Sequence, residues 1–228
     1  MKTTKKISVK GDIIPNDDKW IYEWLDMESV SPEDVNKALL EANGDDVEVE
    51  INSGGGDIFS ASEIYTALRS YKGNVKIKIV GVAASAASVI AAAGYSEIAP
   101  TGLYMIHNVR SSSSGDYRDM EHKTGVLKTA NQAIANAYKQ KTGLSDKELL
   151  KLMDNETWWN AEEAVKNKFI DKVMFDEEAP KLLNSIGGVP YETIEKIRNS
   201  VRKPGKDPAF LMQAELDLLK LRGKKFNE

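Results

Sequence analysis

The chemistry available to this chain sits in a few serines, histidines and carboxylates. Ser85 and Ser88 stand in GVAASAASVIAAAG, Gly81 to Gly94, an alanine-rich run directly after the strand-like segment VKIKIV. A strand-to-helix corner presents a serine hydroxyl beside free backbone N–H groups, the setting a nucleophile needs. Alanine also has the highest helix propensity, and a serine near a first helical turn serves equally well as a cap, so both roles stay open for both serines. A serine nucleophile needs a base to take its proton. The chain has 2 histidines: His122 lies among Asp119, Glu121 and Lys123, as on a solvated helix face, whereas His107 lies in the strand-like GLYMIHNV. His107 is therefore the candidate base, against the plain alternative of a buried structural imidazole. A third group would be a carboxylate that fixes the imidazole tautomer and supports its cation. Asp154 and Glu156, in MDNETWWNAEEA, are both available. In SGGGD, Ser53 to Asp57, free N–H groups offer to bind a carbonyl oxygen as it gains charge, an effect worth about 3–4 kcal/mol per donor. A glycine run is also simply a permissive turn, and this one has neither the lysine of a phosphate-binding loop nor the GxGxxG spacing.

The elements that must hold these residues alternate between strand and helix. ISVKGDII, Ile7 to Ile14, reads as a strand that Gly11 and Asp12 bend. Ser31-Pro32-Glu33-Asp34 opens a helix with a serine cap, a first-position proline and acids in the first turn. Asp46 to Asn52 alternates as a strand, the glycine loop follows, and Ile58 to about Tyr71 is a helix with Ile58, Ala61, Ile64, Tyr65 and Leu68 on one face. The next strand, the helix Ser85 to Ala93 closed by Gly94, and a strand Gly102 to Val109 continue the rhythm. A βαβ succession of this kind implies an α/β fold with a parallel sheet and helices on its faces. SSSSG, Ser111 to Gly115, is a loop, and Tyr117 to Lys141 is one long helix. Short helices follow at Ser145–Met153 and Ala161–Asn167, with a last strand at Phe169–Phe175. A composition break near Glu177 divides a domain over 1–177 from an extension over 178–228, whose residues Ala209 to Arg222 form an amphipathic helix.

Composition narrows the function classes. A chain of 228 residues with 41% hydrophobic residues can bury a real core. With no cysteine it has no disulfide, thiolate nucleophile or thiolate metal site, which fits a reducing compartment. The net charge of −4 and the lack of any Lys/Arg block argue against a nucleic-acid surface. MKTTKKISVKGDII lacks the apolar centre of a signal peptide, and no run reaches membrane-spanning length. A cytoplasmic protein without membrane association is expected.

INSGGG with its following helix, GVAASAAS, YMIHN and ETWWNAEEAVKNKFID occur in the order and approximate spacing of the Clp protease proteolytic subunit family, which the chain resembles over about residues 7 to 175. The resemblance implies a Clp/crotonase-type fold of repeated ββα units with a long protruding helix. It implies Ser85 as nucleophile, His107 as base, and the N–H groups of Gly55 and Ala86 as the oxyanion hole, leaving Ser88 a packing or capping residue. The acid position falls on Glu156, where the family usually has aspartate, and Asp154 is the runner-up. No metal or organic cofactor is implied. The long helix joins two rings face to face in that family, so a homo-oligomeric ring or double ring is expected.

Two features depart from the housekeeping subunit. The start of the chain does not resemble the segment with which that enzyme meets its ATPase, and the extension after Glu177 is not part of it. A Clp-like core with such a tail resembles the head maturation proteases of tailed phages and prophages. The expectation is thus an ATP-independent serine endopeptidase that processes capsid, scaffold or portal precursors in the host cytoplasm or inside the assembling prohead. The alternatives are a housekeeping peptidase fed by an AAA+ ATPase and a catalytically silent ring or scaffold protein.

Overall fold

The computed structural model describes residues 4–176. The proposed boundary near Glu177 and the extension over 178–228, with its amphipathic helix, lie outside the described residues. In chain order the elements are β1 (Thr4–Ile13), α1 (Lys19–Trp24), β2 (Ser29–Val30), α2 (Pro32–Ala42), β3 (Asp46–Gly56), α3 (Ile58–Ser70), β4 (Val75–Ala84) and α4 (Ala86–Ala91). They continue with β5 (Tyr95–Ile98), β6 (Leu103–Ile106), α5 (Tyr117–Thr142), α6 (Asp146–Asp154), β7 (Thr157–Asn160), α7 (Ala161–Lys166) and β8 (Lys172–Val173). The strands form one sheet in the order β2-β1-β3-β4-β5-β8, with β6 paired to β4 and β7 paired to β6. All pairs are parallel except β6–β7. The α/β fold with a parallel sheet and helices is the one the βαβ rhythm and the family resemblance imply.

Alternation along β3 explains which face is packed. Val47, Val49, Ile51 and Ser53 are buried, while Glu48 and Glu50 point to the other face. There they meet Lys78 at 2.6 Å and Lys6 at 3.0 Å, so neighbouring strands carry opposite charges side by side. The buried face packs on α3 and α4, whose Ala61, Ile64, Leu68, Val89 and Ile90 belong to a single core. The cap at Ser31 forms as its sequence indicates: Ser31 and Asp34 make a reciprocal capping box ahead of Pro32.

Two irregularities shape the sheet for the site. Between Lys10 and Asp12 the β1–β3 register shifts around Gly11, whose φ of 69 lets the backbone pass within reach of Glu28. Between Ile51 and Ser53 the β3–β4 register shifts as well, because β4 accommodates extra residues around Gly81. Asn52 Oδ1 accepts from the Val82 N–H at 3.1 Å and fills the space a Cβ on Gly81 would take. This bulge lets β4 fork: Lys76–Ile79 pair with β5, whereas Val82–Ala84 pair with β6.

Several elements differ from the sequence reading. Gly54–Gly56 belong to the end of β3, where Gly55 and Gly56 still pair with Asp12 and Ile13, instead of forming a separate loop. The helix expected over Ser85–Ala93 spans Ala86–Ala91, with Ser85 as the corner before it. The strand expected over Gly102–Val109 ends at Ile106, so His107 is the first residue beyond it. The strand expected over Phe169–Phe175 reduces to Lys172–Val173, because Phe169 turns inward against Trp159, Tyr104 and Tyr138 at ring-centroid distances of 4.5, 5.5 and 5.9 Å. The short β5 and β7 were not foreseen.

Gly11 and Gly125 give opposite expectations for stability. A Cβ on Gly11 would stand 1.9 Å from the Glu28 carbonyl oxygen at a positive φ, so Gly11→Ala should cost roughly 2–4 kcal/mol from strain and overpacking together. Gly125 is inside α5 with open space around it, and Gly125→Ala should add about 0.5–1 kcal/mol through helix propensity. Urea denaturation of the two variants checks both signs.

Candidate active site

Ser85 is the corner between β4 and α4. Its backbone takes φ 55 and ψ −124, a region that costs a residue with a side chain about 1–3 kcal/mol. Neighbouring groups hold that geometry. The Ser85 N–H donates to the Met105 carbonyl at 3.1 Å. The Ser85 carbonyl accepts from the Ser88 N–H at 3.0 Å and from Ser88 Oγ at 2.6 Å. Because the Ser88 hydroxyl proton is used there, Tyr138 donates its own to Ser88 Oγ, at 2.8 Å. Tyr104 donates to the Ser88 carbonyl at 2.9 Å. Burial pushes the ionisation of both phenols upward, so both remain neutral donors. Ser88 is fully buried in this network and fastens the corner to β6 and α5, while Ser85 remains partly exposed.

Strand register then sets the partners of Ser85. The parallel pair Ala84↔Met105 brings the residues that follow each strand to the same end of the sheet. His107 Nε2 accordingly stands 2.7 Å from Ser85 Oγ. With its proton on Nδ1, the neutral imidazole accepts from the serine hydroxyl. Burial, and the nearby Arg110 cation, hold the His107 pKa below the usual histidine value, with Glu156 opposing them. The imidazole is therefore a free base near neutrality.

The antiparallel pair Ile106↔Thr157 puts Glu156 across from His107. The Glu156 carboxylate, however, is ion-paired with the Arg110 guanidinium. Asp154 accepts from Asn108 Nδ2 at 2.8 Å. His107 Nδ1 is buried and has no hydrogen-bond partner among the described residues. The structure thus joins Ser85 to His107 and sets both carboxylates near the pair, without bonding either to the imidazole.

The backbone donors are arranged differently from the expectation at one point. Ala86 opens α4, so its N–H has no intrahelical acceptor. Gly55 approaches so closely that a Cβ on it would lie 2.7 Å from Ser85 Cβ, yet its N–H donates to Ser53 Oγ at 3.1 Å. Its neighbour Gly56 lines the cleft with Ser85. Since the Asp57 N–H reaches the Ile13 carbonyl at 2.7 Å, the preceding N–H of Gly56 turns away from β1, toward the serine side. Gly56 and Arg110 were missed by sequence reasoning. The first lies one residue beyond the chosen glycine, and the second meets Glu156 only through tertiary pairing.

A cleft of about 340 Å³ opens over Ser85 and His107. Ile58, Phe59, Val126, Leu127 and Ile134 give it an apolar wall, and Arg110 and Lys123 supply cations. Such a cleft suits an extended chain with an apolar side chain beside the serine.

If neutral His107 serves as base, hydrolysis should hold at pH values below 6.5 and fall only as pH drops through the depressed pKa, since protonation removes the acceptor at Nε2. A profile of kcat/KM from pH 5 to 9 checks this; an acid limb centred above 6.5 would contradict it.

The family model described as Clp protease matches residues 33–177. The proteolytic subunit of the ATP-dependent Clp protease of Deinococcus radiodurans is 28% identical over 141 residues, covering 60% of this chain and 69% of that protein. Subunit 2 of Treponema denticola is 29% identical over 174 residues, covering 75% and 82%. Among solved structures, a mutant of ClpP1 from Listeria monocytogenes superposes with a TM-score of 0.62 at 23% identity, covering 75% of this chain and 91% of that one. With the match extending over more than half of its length, and with a fold that agrees, the chain belongs to the Clp protease family.

Proposed function

We propose that this protein is a serine endopeptidase in which Ser85 is the nucleophile and His107 the general base. The observation that carries the reading is the 2.7 Å contact between His107 Nε2 and Ser85 Oγ at a strained corner, inside a cleft wide enough for a peptide. In the first step Nε2 takes the hydroxyl proton while Oγ attacks the scissile carbonyl. The oxyanion faces the Ala86 N–H and, in place of Gly55, the Gly56 N–H. His107 then protonates the leaving amine as the acyl-enzyme forms, and water releases the acyl group by the reverse proton movements. Glu156 is the proposed supporting acid because register places it opposite His107, with Asp154 as the alternative.

The proposed substrates are capsid, scaffold or portal precursors cleaved without an ATPase during phage head maturation. This finer reading rests on the family resemblance and on residues 178–228, which lie beyond the matched segment. The relatives' names support the second reading, a subunit fed by an ATPase. Co-expression with capsid and scaffold proteins, followed by mass spectrometry, separates the two: maturation predicts defined cuts without an ATPase. Ser85→Ala should abolish those cuts. Ser88→Ala should retain them but lose about 1–3 kcal/mol of stability, because it strands the buried Tyr138 hydroxyl.

The proposed working form is a ring or double ring. The first half of α5 carries Tyr117, Met120 and Val126 exposed, and its buried residues begin only at Ala135. Specific activity should fall on dilution together with oligomer mass in analytical ultracentrifugation. A fully active monomer would overturn this.

A further inference from the structure

We propose that Arg110 is a positioning residue that competes with His107 for the Glu156 carboxylate and so sets the activity of the serine. The inference rests on the serine peptidase reading above and concerns three groups. His107 Nδ1 is buried without a partner among the described residues, although it is the atom a supporting acid would have to reach. Glu156, across from it by strand register, gives its carboxylate to Arg110. Arg110 lies three residues after His107 in the loop leaving β6, and it lines the same cleft as Ser85.

In this structure the two pairings compete. One Glu156 oxygen, Oε2, accepts from Arg110 Nη2–H, and while the carboxylate is held there neither of its oxygens bonds the buried Nδ1–H of His107. Glu156 also sits at φ 47, which fixes the direction in which that side chain leaves the backbone. The guanidinium is largely solvated, so the pair that holds Glu156 is a surface ion pair of small worth. A weak competitor for a group that is needed elsewhere is a device that modest contacts can tip. A substrate carboxylate in the cleft or a neighbouring subunit would draw Arg110 away and release Glu156 to His107. Of the other charged groups lining the cleft or beside it, Asp57 caps α3 and accepts from the Ser60 N–H at 2.7 Å. Asp154 is engaged by Asn108 Nδ2, and Lys123, on α5 across the cleft, makes no ion pair in the described residues.

The test is the second-order rate of labelling of assembled full-length protein by a fluorophosphonate, measured from pH 5 to 9. Arg110→Gln should raise the plateau rate roughly three- to ten-fold and move the acid limb to higher pH, as a supporting carboxylate strengthens the base. Arg110→Lys, which keeps the charge without the planar guanidinium, should lie between the two. In a Glu156→Gln background, Arg110→Gln should leave the plateau rate unchanged and move the acid limb upward by less, through the loss of a nearby cation alone. An equal shift of the acid limb in that background would mean that Arg110 acts only as a nearby charge, and would overturn the competition. So would a plateau that is unchanged or lowered in Arg110→Gln. If the wild-type protein labels at Ser85 while Arg110→Gln does not differ from it, the peptidase reading stands and this one falls. If the wild type does not label, both fall.

Discussion

The site depends on strand register at the carboxyl end of β4. Pairing of Ala84 with Met105 sets the serine corner beside the residues that follow β6. Pairing of Ile106 with Thr157 sets Glu156 opposite His107, and pairing of Ser53 with Ala83 brings the glycines of β3 against Ser85. A slip of one residue in any of these pairs would turn the relevant side chain to the other face of the sheet. The bulge around Gly81, held by the Asn52 side chain, is what permits β4 to leave β5 and take up β6. The INS segment before the glycines thus has a structural task of its own.

The positive φ of Ser85 is the local cost of this arrangement, and surrounding hydrogen bonds offset it. Ser88, Tyr104 and Tyr138 form a buried polar network in which each hydroxyl proton has a defined acceptor. Such a network is stable only when fully satisfied. It gives the second serine, three residues after the first, a structural task, and the two alanines between them are fully buried.

Much of this was legible in the sequence, for physical reasons that differ by element. Period-two alternation in DVEVEIN and the cap-proline-acid signal at Ser31 are local, and both formed as read. The serine corner was readable as a strand-to-helix junction because a strand and an alanine-rich helix meet there. What was not readable depends on distant pairing. Tyr95–Ile98 and Thr157–Asn160 are too short to show periodicity, and they become strands only against β4 and β6. Phe169 looked like a strand residue, but an aromatic cluster drew it into the core. The choice between Gly55 and Gly56 turns on which N–H the Ser53 hydroxyl takes once β3 is folded, and the Arg110–Glu156 pair spans 46 residues. Neither leaves a trace in local pattern.

The proposed chemistry requires that the Ser85–His107 contact make one serine of this chain reactive. Peptide mapping by mass spectrometry after fluorophosphonate treatment tests it most directly, with wild-type protein compared against His107→Ala under identical conditions. The expected result is a phosphonyl adduct confined to Ser85 and lost in His107→Ala. An adduct on Ser88 or on any other serine, or undiminished modification of Ser85 without His107, would contradict it.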